Sequence, residues 1–136
     1  MLGMNKYPKK YIDEARANID SLLSQYRKLA KSAGSSPALN ALEPNLFNHL
    51  VLVLDQYFVH RLRGQEGKDG NPLNEVRMLC NSIMLNQGVL KADGTIKYHA
   101  ADAVLKLEIG ARIALDEAGF SRLAKAYFEE IGKKFG

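Results

Sequence analysis

The chain has a single cysteine and no long apolar run. The lone Cys80 excludes a disulfide within the chain, which indicates a reducing compartment. The longest apolar run, Leu50–Leu54, is far shorter than the roughly 20 residues that a membrane-spanning helix requires. The first residues, Met1–Lys6, lack the apolar core of a secretory signal. We therefore expect a soluble, cytoplasmic protein with no membrane partner.

Short motifs of enzymes and metalloproteins are also missing. The sequence contains no Gly-x-Ser-x-Gly elbow, no Cys-x-x-Cys pair and no His-x-x-x-His or Glu-x-x-His pair. His49 and His60 share one helical face, but their spacing separates them by about 16 Å along the helix axis. Zinc–nitrogen bonds of about 2 Å cannot bridge that distance. We predict no metal and no cofactor, and whether the chain is an enzyme stays open.

The residues that are present describe an ordinary globular protein. Of 136 residues, 46% are hydrophobic and 25% are charged, which favours a folded chain over a disordered one. A chain of this length can bury a substantial core as one domain. We expect residues 1–136 to form a single domain, with residues 1–7 flexible.

Apolar residues at three- and four-residue spacings predict two helices in the first half of the chain. The first helix begins near Pro8, where proline is tolerated, and ends at the breaker cluster Gly34–Pro37. The second covers about residues 45–63 and is opened by Pro44. Residues 40–43 are expected to add a short turn before it.

Two further helices are predicted from their capping residues. The third begins at Asn71, a favoured cap, with Pro72 in the first helical position, and ends near Asn86. The last follows Asp116, whose side chain is placed to cap it. The four segments together predict a bundle-like helical domain.

The apolar spacing changes between the third and fourth helices. Residues 89–98 contain a turn, Ala92–Gly94, between two alternating segments, which is typical of a β-hairpin. Residues 103–110 also alternate and are interpreted as a third strand, although a helix over residues 100–109 is the competing interpretation. The predicted fold class is mainly α (α+β), with an antiparallel hairpin or three-stranded sheet before the last helix.

The second helix is apolar over most of its circumference. Such a helix is either central or buries a second face against another subunit. Three partner helices in a small domain do not readily cover so much apolar surface. The leading hypothesis is a non-enzymatic interaction module that self-associates as a homodimer.

A second hypothesis concerns the loop after this helix, where basic residues meet the start of the third helix. Helix N-termini carry unpaired N–H groups and partial positive charge, so they attract phosphate and carboxylate. The predicted function is then binding of an anionic small molecule, with or without catalysis, although a plain turn explains the same residues. The predicted ligand-binding residues are His60, Arg61, Lys68, Asn74, Glu75 and Arg77.

Two acidic residues near this loop have structural explanations. Asp55 lies on the apolar side of the second helix, where a carboxylate usually pairs with an arginine such as Arg77 or Arg112. Glu75 lies in the first turn of the third helix, where it offsets the helix dipole.

Weak nucleic-acid binding is a third hypothesis, because the net charge is +4. Basic residues cluster around the ends of the first helix and at Lys133 and Lys134. Acidic residues interrupt the first cluster, and no aromatic residues alternate with the basic ones as a base-stacking surface requires. A nucleic-acid partner is therefore not expected.

The segments His49–Arg61 and Gly67–Arg77 resemble a group of small bacterial proteins that are uncharacterised and mainly helical. Residues 104–115, Phe120 and Tyr127–Ile131 fit the same resemblance, which covers about residues 40–135. The group has no established activity. The resemblance therefore implies a bacterial cytoplasmic protein and assigns no catalytic or ligand residue.

Overall fold

The computed structural model of the protein describes residues 3–136. The elements within them are α1 (Lys9–Ala33), α2 (Pro37–Gln56), α3 (Arg63–Glu66), α4 (Pro72–Leu85), a 3-10 turn (Ala100–Asp102) and α5 (Glu117–Phe135). Helix α5 packs against α1, α2 and α4, and α2 also packs against α4. The core lies between these long helices, and its largest fully buried side chains are Phe47, Phe58, Phe120, Tyr127 and Phe135.

Three of the long helices begin where their sequences predict. The Asn71 side chain accepts hydrogen bonds from the backbone N–H groups of Leu73 (2.9 Å) and Asn74 (3.2 Å) at the start of α4. The Asp116 carboxylate accepts one from Gly119 N–H (2.7 Å) at the start of α5. Helix α1 begins directly after Pro8. These predictions are confirmed. Side-chain caps set the starts of α4 and α5, whereas α1 follows Pro8 without a side-chain cap.

The predicted bounds of the second helix are wrong at both ends. Helix α2 starts at Pro37, capped by the Ser36 hydroxyl, which accepts a hydrogen bond from Leu39 N–H (3.2 Å). Pro44 lies inside the helix instead of opening it. A serine cap followed by proline is the same start signal as Asn71–Pro72, and it outweighs the one hydrogen bond that Pro44 removes.

Helix α2 ends at Gln56, because the chain turns over residues 57–60. The turn is closed by a hydrogen bond from Phe58 N–H to Asp55 C=O (3.0 Å) and one from Arg61 N–H to Phe58 C=O (3.1 Å). The turn sends the Arg61 side chain back beneath the end of α2, where it is 3% exposed.

Residues 3–7 pack against the end of this turn. Met4 donates to His60 C=O (2.7 Å), and its own carbonyl accepts from Leu62 N–H (2.8 Å). The ring of Tyr7 lies edge-on to Phe58, with 5.0 Å between the ring centroids.

The predicted hairpin or three-stranded sheet is wrong, since residues 3–136 contain no strand. What remains of the pairing is an isolated antiparallel bridge between Val89 and Arg112. Residues 100–109, interpreted as strand or helix, form only the 3-10 turn followed by irregular backbone. Lys106 and Gly110 have φ values of 54° and 92°, which no extended strand contains.

A side chain replaces the missing neighbour strand. The Glu75 carboxylate accepts hydrogen bonds from the backbone N–H groups of Val104 (2.8 Å) and Leu105 (3.0 Å). The Tyr98 hydroxyl donates to the backbone carbonyl of Leu107. Because these side chains satisfy backbone groups that a ladder would pair, the alternating segment packs on the core without joining a sheet.

Candidate functional site

The loop between α2 and α4 closes around one carboxylate, Glu66, whose side chain is fully buried. Its Oε1 atom accepts hydrogen bonds from Arg61 Nε (2.8 Å) and Arg77 Nη2 (2.5 Å). Its Oε2 atom accepts from Asn74 Nδ2 (2.7 Å) and Arg77 Nε (3.1 Å). An ionised carboxylate has about four acceptor sites, so the hydrogen-bonding capacity of Glu66 is used entirely within the chain.

Arg61 joins this carboxylate to a second one. Its Nη1 atom donates to Asp55 Oδ1 (2.7 Å), to Phe58 C=O (3.1 Å) and to the Tyr127 hydroxyl (3.2 Å). Its Nη2 atom donates to Leu73 C=O (3.3 Å). The guanidinium also lies 5.7 Å from the centroid of the Tyr127 ring, a favourable cation–π arrangement.

We call this set the Glu66 cluster, and it contains two cations and two anions. Arg61 and Arg77 face Asp55 and Glu66, so the four charges sum to zero. Its members are Asp55, Arg61, Glu66, Asn74, Arg77 and Tyr127.

Burial and pairing act in opposite directions on the ionisation of the cluster. Burial by itself raises the pKa of the Glu66 carboxyl, but hydrogen bonds from Arg77 and the charge of Arg61 outweigh it, so the pKa lies below its ordinary value. Burial also opposes the charged form of Arg61, yet Tyr127, Asp55 and Glu66 hold its pKa above the ordinary value. Burial and the nearby Asp55 raise the pKa of the Tyr127 hydroxyl well above its ordinary value. The neutral phenol therefore serves as a hydrogen-bond donor to Asp55.

Glycine and asparagine residues fix the loop around the cluster. Gly70 has a φ of 87°, and a Cβ atom there would lie 2.5 Å from the backbone oxygen of Lys97. The Asn74 side chain accepts from Gly70 N–H (2.9 Å) and donates to Gly67 C=O (2.9 Å). Lys134 from α5 donates to Glu66 C=O (2.8 Å), which ties the loop to the last helix.

The structure brings together only some of the predicted ligand-binding residues. Arg61, Asn74 and Arg77 meet around Glu66, and each is hydrogen-bonded within the chain. Glu75 is buried on another side of α4, where burial raises the pKa of its carboxyl against the effect of the two N–H groups that it binds. His60 and Lys68 are exposed, and their side chains make no hydrogen bond within residues 3–136.

Sequence reasoning missed Glu66 and Tyr127, and it assigned Asp55 the wrong partners. Asp55 pairs with Arg61, not with Arg77 or Arg112. The spacing of Arg61 and Glu66 across a loop has no periodic signal, and Tyr127 comes from a distant helix. The one local signal was the general expectation that a carboxylate on an apolar helix face pairs with an arginine.

The second candidate site is a surface of α2 with exposed apolar side chains. We call the exposed residues of α2 its outer face, and none of them is a lysine, arginine, aspartate or glutamate. Leu42 is 46% exposed and Val53 is 42% exposed. The members of the outer face are Pro37, Ala38, Asn40, Ala41, Leu42, Asn45, His49, Val53 and Gln56.

Helix α1 extends this surface along one side of α2. The two helices meet through a hydrogen bond from the Tyr11 hydroxyl to Tyr57 C=O (2.6 Å) at one end. At the other end the ring of Tyr26 lies edge-on to Phe47. Beside the contact between Tyr11 and Tyr57, a shallow groove of about 400 Å³ is lined by Tyr11, Leu52, Val53, Gln56 and Tyr57.

The half-buried acids of α2 do not place charge on the outer face. Glu43 accepts a hydrogen bond from Glu117 N–H (2.9 Å) at the start of α5. Asp55 belongs to the Glu66 cluster, and its side chain is only 13% exposed. The negative charges of α2 are therefore used in contacts inside the domain.

Two further findings concern the part of the chain that the structure covers. No three histidine, cysteine, aspartate or glutamate side chains among residues 3–136 are grouped so that they could hold a metal ion. None of the helices in the same range combines the length and the apolar character needed to cross a membrane.

Comparison with known proteins returned no relative. The chain matches no protein-family profile, no curated protein and no solved structure.

Proposed function

We propose that this protein is a non-enzymatic interaction module that self-associates as a homodimer through the outer face of α2. The observation that carries the proposal is the absence of charge among the exposed residues of a helix that keeps Leu42 and Val53 more than two-fifths exposed. Exposed apolar surface without interspersed charge is typical of surfaces that bind a protein partner.

A second copy of the chain suits this face because of the charge on the whole molecule. Each chain has a net charge of +4, so two chains repel one another through most of their surfaces. The outer face of α2 opposes no like charges when it meets itself in a two-fold interface. The groove beside Tyr11 and Tyr57 offers aromatic and aliphatic walls to a side chain of the second copy.

The Glu66 cluster favours this proposal over anion binding at residues 60–77. A phosphate or carboxylate needs donors that are free to turn toward it. Arg61 and Asn74 are buried with their donors engaged, and Arg77 is committed to Glu66 by two hydrogen bonds. An anion would have to compete with a carboxylate that is already in place.

Ion pairing also reduces the basic surface available to nucleic acid. Lys9 and Lys10 pair with acids one turn along α1, and Arg27 pairs with Glu117. Lys134 pairs with Glu130. Weak nucleic-acid binding, the cytoplasmic location and the bacterial origin remain predictions from the sequence.

Light scattering after size exclusion tests the proposal at micromolar concentration. We expect the unmodified chain to have twice the mass of one chain, and Val53→Lys to have the mass of one, because the new charge would be buried unpaired. Ala17→Lys is the matched control: it adds the same charge at an exposed position of α1 and should leave the dimer intact.

A single-chain mass for the unmodified protein over the whole concentration range would overturn the proposal. If Val53→Lys has the same dimer mass as the unmodified chain, the interface does not lie on the outer face of α2. Thermal unfolding of both variants checks that they remain folded, since surface substitutions usually change stability by within about 0.5 kcal/mol.

A further inference from the structure

The chain contains two aspartate–glycine pairs, Asp69–Gly70 and Asp93–Gly94, and both lie in loops. In such a pair the glycine amide can attack the aspartate side chain, because glycine has no Cβ atom to shield its nitrogen. We infer that Asp93 is a site of spontaneous isomerisation to isoaspartate, and that the surroundings of Asp69 protect it from the same reaction. The modification is independent of self-association.

The reaction needs only the Asp93 carboxyl group, the Gly94 amide and water. The Gly94 nitrogen attacks the side-chain carbonyl carbon of the protonated carboxyl group. A C–N bond forms, and the hydroxyl of the carboxyl group leaves as water with the amide proton. Hydrolysis of the resulting succinimide ring returns one water by breaking the bond between the Gly94 nitrogen and the Asp93 backbone carbonyl carbon. The product has the same atoms, and its backbone runs through the side chain of residue 93.

The surroundings of Gly94 leave its amide free to react. Its N–H group makes no hydrogen bond within residues 3–136, and a Cβ atom at this exposed position would meet open space. Asp93 Oδ1 accepts hydrogen bonds from the backbone N–H (2.8 Å) and the hydroxyl (2.7 Å) of Thr95. These bonds fold the side chain back over the peptide bond between Asp93 and Gly94, so its carbonyl carbon lies close to the attacking nitrogen.

The surroundings of Gly70 engage the corresponding amide. Gly70 N–H donates to Oδ1 of the buried Asn74 side chain (2.9 Å). The backbone of Gly70 also packs so closely that a Cβ atom there would lie 2.5 Å from the backbone oxygen of Lys97. Ring closure at Asp69 would break this hydrogen bond and displace a backbone that is held on both sides, so the folded chain opposes it.

Ionisation of the two carboxyl groups does not account for the expected difference. A hydrogen bond from the Thr95 side chain lowers the pKa of Asp93, and one from the Asn71 side chain lowers the pKa of Asp69. A lowered pKa slows both reactions, because the ionised carboxylate lacks the proton with which its hydroxyl leaves. The contrast between the two sites therefore depends on the glycine amides.

Incubation of the folded chain at neutral pH, followed by cleavage at arginine, tests the inference. The two pairs then lie in separate peptides, Gly64–Arg77 and Met78–Arg112, and electron-transfer fragmentation distinguishes isoaspartate from aspartate in each. We expect isoaspartate to accumulate at Asp93 several-fold faster than at Asp69. In the urea-unfolded chain the two rates should be similar, because the hydrogen bond that protects Gly70 is lost there.

Gly94→Ala is the matched variant, since its Cβ atom meets open space but shields the amide nitrogen. It should slow isomerisation at Asp93 several-fold, and thermal unfolding verifies that it is folded. An unchanged rate in this variant overturns the inference, as do equal rates at Asp69 and Asp93 in the folded chain. The same ratio of rates in urea as in the folded chain also overturns it, because the fold would then protect neither site.

Discussion

The Glu66 cluster and the outer face of α2 are opposites in where they place charge. The cluster buries Arg61 and Glu66, partly buries Asp55 and Arg77, and gives each of the four charges a partner. The outer face leaves leucine and valine in solvent and places no lysine, arginine or carboxylate there to accompany them. The charged side chains of the cluster are therefore paired within the domain, whereas the apolar side chains of the outer face have no packing partner in the domain.

Because of this difference, the polar residues that the sequence suggested as a site have a structural role, and apolar residues form the better candidate site. Arg61, Asn74 and Arg77 looked like ligand residues because polar side chains near a helix start are often functional. In the folded chain they hold the loop between α2 and α4 in place. Leu42 was expected in a short turn and Val53 on a helix that is apolar over most of its circumference; both are exposed on α2 and provide the better candidate for contact with a partner.

The largest effect is expected from Arg61→Met, which breaks the cluster. Among residues 3–136, the substitution leaves the Tyr127 hydroxyl as the only side-chain partner of Asp55, and it takes one of two arginines from Glu66. Removing one member of a buried ion pair costs about 3–5 kcal/mol, because the charge left behind has no compensation. Urea unfolding measures the loss. Arg122→Met on the exposed side of α5 is the control and should change stability by less than about 0.5 kcal/mol.

An intermediate effect is expected from Gly70→Ala in the loop that encloses the cluster. The left-handed backbone costs a side-chain-bearing residue about 1–2 kcal/mol, and contact with Lys97 C=O forces the loop to shift further. Gly64→Ala is the matched control, since its Cβ atom meets open space and alanine favours the short helix α3. If thermal unfolding shows equal stability for the two variants, Gly70 does not fix this loop.

A smaller effect concerns two buried carboxylates whose pH dependence has opposite signs. The folded pKa of Glu66 lies below its unfolded value of about 4.5, so its contribution to stability is lost as the pH falls below that value. The folded pKa of Glu75 lies above the same unfolded value, so its contribution is lost as the pH rises through the folded pKa.

The variants Glu66→Gln and Glu75→Gln test these two pH dependences, with the free energy of unfolding measured in urea between pH 3 and 7. The stability difference between the unmodified chain and Glu66→Gln should grow as the pH rises. For Glu75→Gln the difference should shift in the other direction. A difference for Glu66→Gln that shrinks as the pH rises would mean that Arg61 and Arg77 do not stabilise the charged form of Glu66. A difference for Glu75→Gln that grows as the pH rises would mean that burial does not raise the pKa of Glu75.

The smallest effect is expected at the start of α2, from which the outer face begins. Ser36→Ala removes the hydroxyl that accepts from Leu39 N–H and should cost about 1 kcal/mol. Ser35→Ala, one residue earlier, is the control and should be neutral. Thermal unfolding measures both variants. If only Ser35→Ala lowers the stability, Ser36 is not the residue that caps α2.

Local signals in the sequence predicted the starts of α1, α4 and α5, but not the bounds of α2 or the short helix α3. Asn71–Pro72 and Asp116 mark helix starts because a cap acts over three residues. The sheet prediction failed because alternation in residues 103–110 shows which side chains face the core but not what accepts their N–H groups, and Glu75 accepts two of them.

The two candidate sites could be predicted to different degrees, because contacts between distant residues leave no periodic signal in the sequence. The Glu66 cluster depends on a loop that returns Arg61 beneath α2 and on Tyr127 from α5, and neither contact has a sequence period. The excess apolar surface of α2 was visible from its composition. Which side of the helix stays exposed depends on where α1, α4 and α5 pack, so the outer face could not be assigned from the sequence.

The central claim is that the outer face of α2, and not another apolar surface, meets a second chain. Intermolecular nuclear Overhauser effects in a mixture of isotope-labelled and unlabelled chains test it most directly. We predict that the methyl groups of Leu42 and Val53 show contacts between chains at pH 7.5. Contacts confined to Met84 and Leu85, which are 66% and 83% exposed at the end of α4, or no contacts between chains at all, would contradict the account.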